Sequence, residues 1–215
     1  MIKKNIWIVD NRYFFDRLLW SEDSTKEFYS IEKMIKRIEL IIKTIEKQKE
    51  TEINYAYVNI YSKDNQDKII NPNKIEFKTI KQFKEEINKY NKNNLTIESC
   101  SIMIKTLVSM YGNSGEIKKD WIEDSIKIFL SNSEISGMGM IIKSLTDIWM
   151  PDTYVGEREP DSCNNVELAR LNLPILDTLL KNLIKELKIK FEVHEELSKR
   201  NKSMLIIKDD EIRMK

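Results

Sequence analysis

The chain has 215 residues, 33% of them charged and 41% hydrophobic, with Lys+Arg 36 against Asp+Glu 35 and a formal net charge of +1. That length holds one substantial core, so a single domain over residues 1–215 is expected, and the charge balance excludes both a polybasic nucleic-acid binder and an acidic disordered tail. No stretch approaches the ~20 apolar residues of a membrane span, and the apolar run Ile6 to Val9 stops at Asp10, short of a signal-peptide core, so a soluble, cytoplasmic protein with no membrane partner is expected.

Ile6 to Val9 reads as a short opening strand, and Tyr13 to Trp20 as an aromatic-rich strand or loop. Ser24 with Glu27 three residues on has the form of a capping box, and Phe28, Ile31, Ile35, Ile38, Ile42 and Ile45 then recur at helical spacing. This predicts a helix over Thr25 to Lys49, with Met34, Leu40 and Ile41 widening its apolar stripe beyond a coiled-coil seam. Ile53 to Tyr61 alternates with period two: Tyr55, Tyr57, Asn59 and Tyr61 share one face, and Ala56, Val58 and Ile60 the other. The tyrosine face either binds a partner or packs beneath a loop or helix.

Asn71-Pro72-Asn73 marks a turn. Thr79 and Gln82 suggest a second capping box, opening a short helix with Ile80, Phe83, Ile87 and Tyr90 inward. Strand character follows in Leu95 to Val108, Ile126 to Leu130 and Met138 to Trp149, separated by Gly112/Gly115 and by Ser131 to Gly139, which predicts an antiparallel meander. Trp149 and Met150 are expected as core residues at the end of the last strand, with Pro151 turning the chain outward, and Trp121 is also expected in the core. Pro174 lies too deep for an uninterrupted helix from Val166, so Asn172 is read as an N-cap with the regular helix from Leu173 to Leu187. Ile189 to Val193 and Met204 to Lys208 close the chain as strands. The expected fold class is α+β: an antiparallel, meander-like sheet with two or three helices packed on it.

Catalytic signatures are sparse. The chain has no GxSxG, P-loop or strand-to-helix GxGxxG, and His194-Glu195-Glu196-Leu197-Ser198 lacks the second histidine of a zincin motif. Cys100 and Cys163 read as reduced thiols without CxxC spacing, so neither a disulfide framework nor a metal site is expected, and no cofactor is called for. Arginines such as Arg37 and Arg158 stand against a lysine-rich background, where a planar bidentate donor is a distinct choice.

The local concentration of carboxylates that bears on function is Asp147, Asp152, Glu157, Glu159 and Asp161, with Arg158 among them. Three functional uses stay open: a carboxylate-based enzyme site in the 147–161 connection, ligation of a hard cation, or display of negative charge to a basic partner. A solvated connection is the plain alternative. The candidate partner-binding set is Asp152, Glu157, Arg158, Glu159 and Asp161.

The run Asp147-x-Trp149-x-Pro151, then Gly156, then Asn172-x-Pro174-x-Leu176 at a helix start, resembles a group of bacterial proteins associated with polymorphic and contact-dependent toxin systems. The likeness covers the last third of the chain, where the connection Asp161 to Leu171 is longer than in that pattern. It implies an immunity protein of contact-dependent growth inhibition: a cytoplasmic antitoxin, not an enzyme, that binds a cognate toxin and neutralises it by occlusion. A non-toxin adaptor working through Tyr55, Tyr57 and Tyr61 is the other binding alternative.

Overall fold

The computed structural model describes residues 18–21, 31–62, 73–90, 95–112, 114–133, 137–144, 148–149, 152–153, 163–164, 166–189, 192–193, 205–208 and 211–214. The first helix, α1 (Ile31–Glu46), forms where isoleucines recur at helical spacing. Met34, Ile38, Ile41, Ile42 and Ile45 are wholly buried, and each such side chain contributes about 1.5–3 kcal/mol on leaving water. The expected helix start at Thr25, with its Ser24/Glu27 cap, lies outside the described residues.

Strand β2 (Thr51–Ser62) alternates as its sequence requires, with Ala56, Val58 and Ile60 turned into the core. It pairs antiparallel with β3 (Asn73–Phe77), a strand too short to announce itself because only Ile75 and Phe77 point inward. Of the expected 71–73 turn, Asn73 instead opens β3, and residues 71 and 72 lie outside the described set. Helix α2 (Ile80–Ile87) starts at Thr79, whose Oγ1 accepts from the Gln82 amide at 3.2 Å. Gln82 Oε1 in turn accepts from the Lys78 amide at 2.8 Å, one residue further out than a standard capping box. Phe83 and Ile87 are buried, with the Phe83 ring 4.9 Å from that of Phe77.

The expected meander follows as β4 (Leu95–Tyr111), β5 (Ile117–Ser133) and β6 (Gly137–Ser144). Two boundaries differ most from expectation. Strand β5 begins at Ile117 rather than Ile126, because Lys118, Lys119 and Asp120 are exposed and hide the apolar alternation. Strand β6 ends at Ser144, and Ile148 and Trp149 are buried in a turn beyond it rather than on the strand. Burial of Trp149 was expected; its backbone conformation was not.

Helix α3 (Val166–Leu187) corrects the reading of Asn172 as an N-cap, since it runs unbroken through both Asn172 and Pro174. The reason lies in β4. Its ladder with β2 ends at Thr51↔Thr106, leaving the following residues, still paired with β5 on one side, without a strand neighbour on the other. The Leu107 amide donates to Glu50 O at 2.8 Å, and the next gap is filled by a side chain. The Ser109 amide donates to Asn172 Oδ1 at 2.7 Å, and Asn172 Nδ2 donates to Ser109 O at 2.9 Å. A carboxamide thus stands where a strand would. Pro174 lacks the amide hydrogen that would bond the Arg170 carbonyl, but buried Leu176, Leu179, Leu180, Leu183 and Leu187 hold the helix on the sheet.

Short strands complete the chain: β1 (Leu18–Ser21), β7 (Asp152–Thr153), β8 (Cys163–Asn164), β9 (Glu192–Val193), β10 (Leu205–Lys208) and β11 (Glu211–Met214). The main sheet has the order β3-β2-β4-β5-β6-β1-β9, while β7 pairs with β8 and β10 with β11. Every pairing described is antiparallel, which makes the fold α+β as expected. One core joins the inward faces of α1, α2 and α3 to Val58, Ile102, Ile128 and Ile142 of the central strands. The three helices therefore cover the same face of the sheet. Among the described residues no helix is long and apolar enough to cross a membrane.

Candidate functional site

A sheet covered by helices on one side carries a second row of side chains on the other. On β2 that row includes Glu52, Tyr55, Tyr57, Asn59 and Tyr61; on β4 it includes Glu98, Ser99, Ser101, Met103 and Lys105. Strand β5 adds Lys119, Trp121, Lys127 and Phe129, and β6 adds Ile141 and Lys143. No helix of the described residues lies on this face. Tyr55 is 41% exposed, while Tyr57, Tyr61, Trp121 and Phe129 are half-buried. Trp121 thus leaves the core position expected for it.

Cations are laid over the rings. Lys74 Nζ lies 4.5 Å from the Tyr57 ring centroid, Lys105 Nζ 5.0 Å from Trp121 and Lys127 Nζ 6.0 Å from Phe129, within or at the range of cation–π attraction. Lys74 also meets Glu76 at 2.7 Å, and that hydrogen bond raises the lysine pKa and lowers the glutamate's. Lys105 meets Glu52 at 2.8 Å and is raised chiefly by that bond. Tyr61 Oη donates to Glu98 Oε2 at 3.1 Å; its phenol pKa is raised by burial first and by that carboxylate second. The pairs fix side-chain positions more than they stabilise, because exposed ion pairs are screened.

Irregular backbone shapes one end of this face. The β2/β4 register shifts between Ile53 and Tyr55, and the β4/β5 register between Ile104 and Thr106. Neighbouring bulges bend and twist a sheet locally. Asp124 takes φ 50°, the left-handed region that aspartate tolerates better than most residues. It accepts from Asn54 Nδ2 at 2.8 Å, a bond that spans β4 from β2 to β5. Ser125 Oγ donates to Ile104 O at 3.0 Å and also contacts Thr106 Oγ1. Beside this bend the Tyr55 phenol is pushed up in pKa, first by burial and then by the Asp124 charge.

The sequence-derived carboxylates are placed only in part. Asp152 is in β7 opposite Asn164, whereas Asp147, Glu157, Arg158, Glu159 and Asp161 lie outside the described residues, as does His194. Among the described residues no group of three or more His, Cys, Asp or Glu is gathered as a metal site. Cys100 is buried in the core, where burial pushes its thiol far above the ordinary range. Trp121, Lys127 and Phe129 were not singled out together by their sequence. Their signal was present, since they alternate with Ile122, Ile126, Ile128 and Leu130, but a register shift between them conceals the common face.

No family model, no curated protein and no solved structure matches the chain.

Proposed function

We propose that this protein acts by contact rather than catalysis, as an immunity-type inhibitor that binds a cognate toxin and blocks it by occlusion. The observation that carries contact as its mode of action is the sheet face on which no helix of the described residues lies, with Tyr55, Tyr57, Trp121 and Phe129 set among lysines. Tyrosine, tryptophan and phenylalanine are the side chains on which protein interfaces concentrate their energy. The toxin as partner is supported by the resemblance of the Asp147 to Leu176 segment, and the charged connection Asp152, Glu157, Arg158, Glu159, Asp161 is a second contact surface in this proposal.

Co-expression with a toxin encoded immediately upstream tests it. Growth rescue and a stable co-purifying complex are expected, with affinity falling about tenfold or more when Tyr55 and Tyr57 are replaced by alanine. Charge reversal at Glu157 and Glu159 reports the contribution of the acidic connection. An adaptor using the same face for a non-toxin partner would form its complex without rescuing growth. Absence of both rescue and complex removes the proposal.

A further inference from the structure

Beyond the bulges β4 and β5 continue as a two-stranded ribbon, and its two edges are treated differently. The register there is Leu107↔Trp121, Ser109↔Lys119 and Tyr111↔Ile117. The Leu107 amide and both backbone groups of Ser109 point away from β5, to Glu50 and to Asn172. Residues facing each other in such a non-hydrogen-bonded pair turn their backbones outward together. Ile117, Lys119 and Trp121 therefore direct theirs away from β4. The β5/β6 ladder stops at Ile126↔Ser144, and no strand of the described residues lies beside 117–122 on that side.

A buried asparagine thus closes the β4 edge, while the β5 edge stays open. Only the Trp121 amide is met there, by Asp120 Oδ1 at 2.9 Å. Among the described residues nothing bonds the outward amides and carbonyls of Ile117 and Lys119. The side chains agree: Glu116, Ile117, Lys118, Lys119 and Asp120 are all exposed. Alternation puts Ile117, Lys119 and Trp121 on one face and Lys118 and Asp120 on the other. Lys118 pairs with Asp120 at 3.3 Å, whereas Lys119 meets no carboxylate among the described residues. An open edge with an unpaired cation between two apolar side chains is a template for a particular strand.

We propose that this edge accepts a strand from another protein. An extended segment pairs antiparallel with residues 117–121, its acidic side chain opposite Lys119 and an apolar side chain opposite each of Ile117 and Trp121. The inference rests on the contact function proposed above and names a mode of binding for it. In such strand addition main-chain hydrogen bonds supply affinity and alternate side chains supply specificity. Ile117 and Lys119 each offer an amide and a carbonyl, and Trp121 a carbonyl. A cross-strand pair of opposite charge and an aromatic facing a β-branched residue both favour that pattern. A second copy of this chain is the poorer occupant. Full antiparallel overlap of two such edges sets Lys119 directly against Lys119, and like charges facing each other oppose pairing.

The test is NMR titration and amide hydrogen exchange of the full chain with a blocked peptide in which valine, glutamate and valine alternate with threonines. Saturable binding is expected to slow exchange at the Ile117 and Lys119 amides, which face outward, and to change little at Lys118 and Asp120, which already face β4. N-methylation of the peptide's glutamate amide removes its bond to the Lys119 carbonyl and is expected to abolish binding. Lys119→Glu is expected to weaken the glutamate peptide about three- to tenfold, attraction giving way to repulsion in one cross-strand pair, and to improve binding of the same peptide with a central lysine. Lys119→Pro deletes an outward amide without breaking the β4 ladder and is expected to abolish binding with the remaining sheet amides unshifted. Lys81→Glu on the exposed side of α2 is expected to change nothing. Absence of binding, undiminished binding of the N-methylated peptide, or equal losses in Lys81→Glu and Lys119→Glu would overturn the proposal. Self-association of the free chain that protects the same two amides would make the occupant a second copy and overturn it as well. A toxin complex that leaves the Ile117 and Lys119 amides exchanging freely sinks this inference while the contact function stands; absence of the complex and of growth rescue removes that function itself.

Discussion

Replacing Asn172 distinguishes a strand substitute from a helix cap. Asn172 is fully buried, and its carboxamide satisfies both the amide and the carbonyl of Ser109 at 2.7 and 2.9 Å. Asn172→Leu keeps the approximate volume and leaves two buried backbone groups without partners. At about 1–3 kcal/mol for each, the expected loss is about 2–6 kcal/mol. Asn172→Asp is the sharper variant: a carboxylate still accepts from the Ser109 amide but faces the Ser109 carbonyl without a donor. At an N-cap, aspartate and asparagine are nearly equivalent; here Asp is expected to cost at least as much as Leu. Urea unfolding with an unchanged slope reads the loss, and hydrogen exchange at the Ser109 amide localises it. An Asn172→Asp protein within about 0.5 kcal/mol of the parent, the usual range of neutral surface changes, would refute the strand-substitute account.

Three further outcomes follow from described geometry. Cys100 should resist thiol reagents in the folded protein and react only as the core opens; rapid native labelling would contradict its burial. Burial raises its folded-state pKa, so the folded form holds the proton more tightly. The associated stability is complete below the ordinary thiol range and is lost as pH rises through it, and urea midpoints against pH should fall less steeply in Cys100→Ala. At Asp124, asparagine keeps both the φ of 50° and a side-chain oxygen for Asn54 and should be nearly neutral. Valine there should cost about 1–3 kcal/mol in thermal or urea unfolding. Thr79→Ala removes the oxygen that accepts from the Gln82 amide and should cost about 1 kcal/mol, with fraying of α2 visible in amide exchange.

The elements that were legible are those whose burial repeats at one period. The isoleucines of α1 and the alternation of β2 each place a whole face inward, so sequence distance alone predicts spatial side. β3 was missed because two inward residues make no pattern, and the first half of β5 because its side chains are exposed. The candidate site was half visible. The tyrosines of β2 stood out as a row, but the cations that lie over its rings come from neighbouring strands, as Lys74 on Tyr57 does. The carboxylate cluster drew notice because it is contiguous in the chain, which says nothing of whether its members meet.

Local order was therefore settled by the residues themselves: a charge-balanced α+β chain whose helices and central strands are written in 3.6- and two-residue periods. Tertiary structure decided the rest. Only the pairing of β2, β4, β5 and β6 brings Tyr57, Ser101, Phe129 and Lys127 onto one surface. Asn172 shows the same division most plainly. Its neighbour Pro174 argued locally for a helix start, yet the unpaired edge of β4 sixty-three positions away in sequence supplied two hydrogen bonds that a local rule has no means of counting.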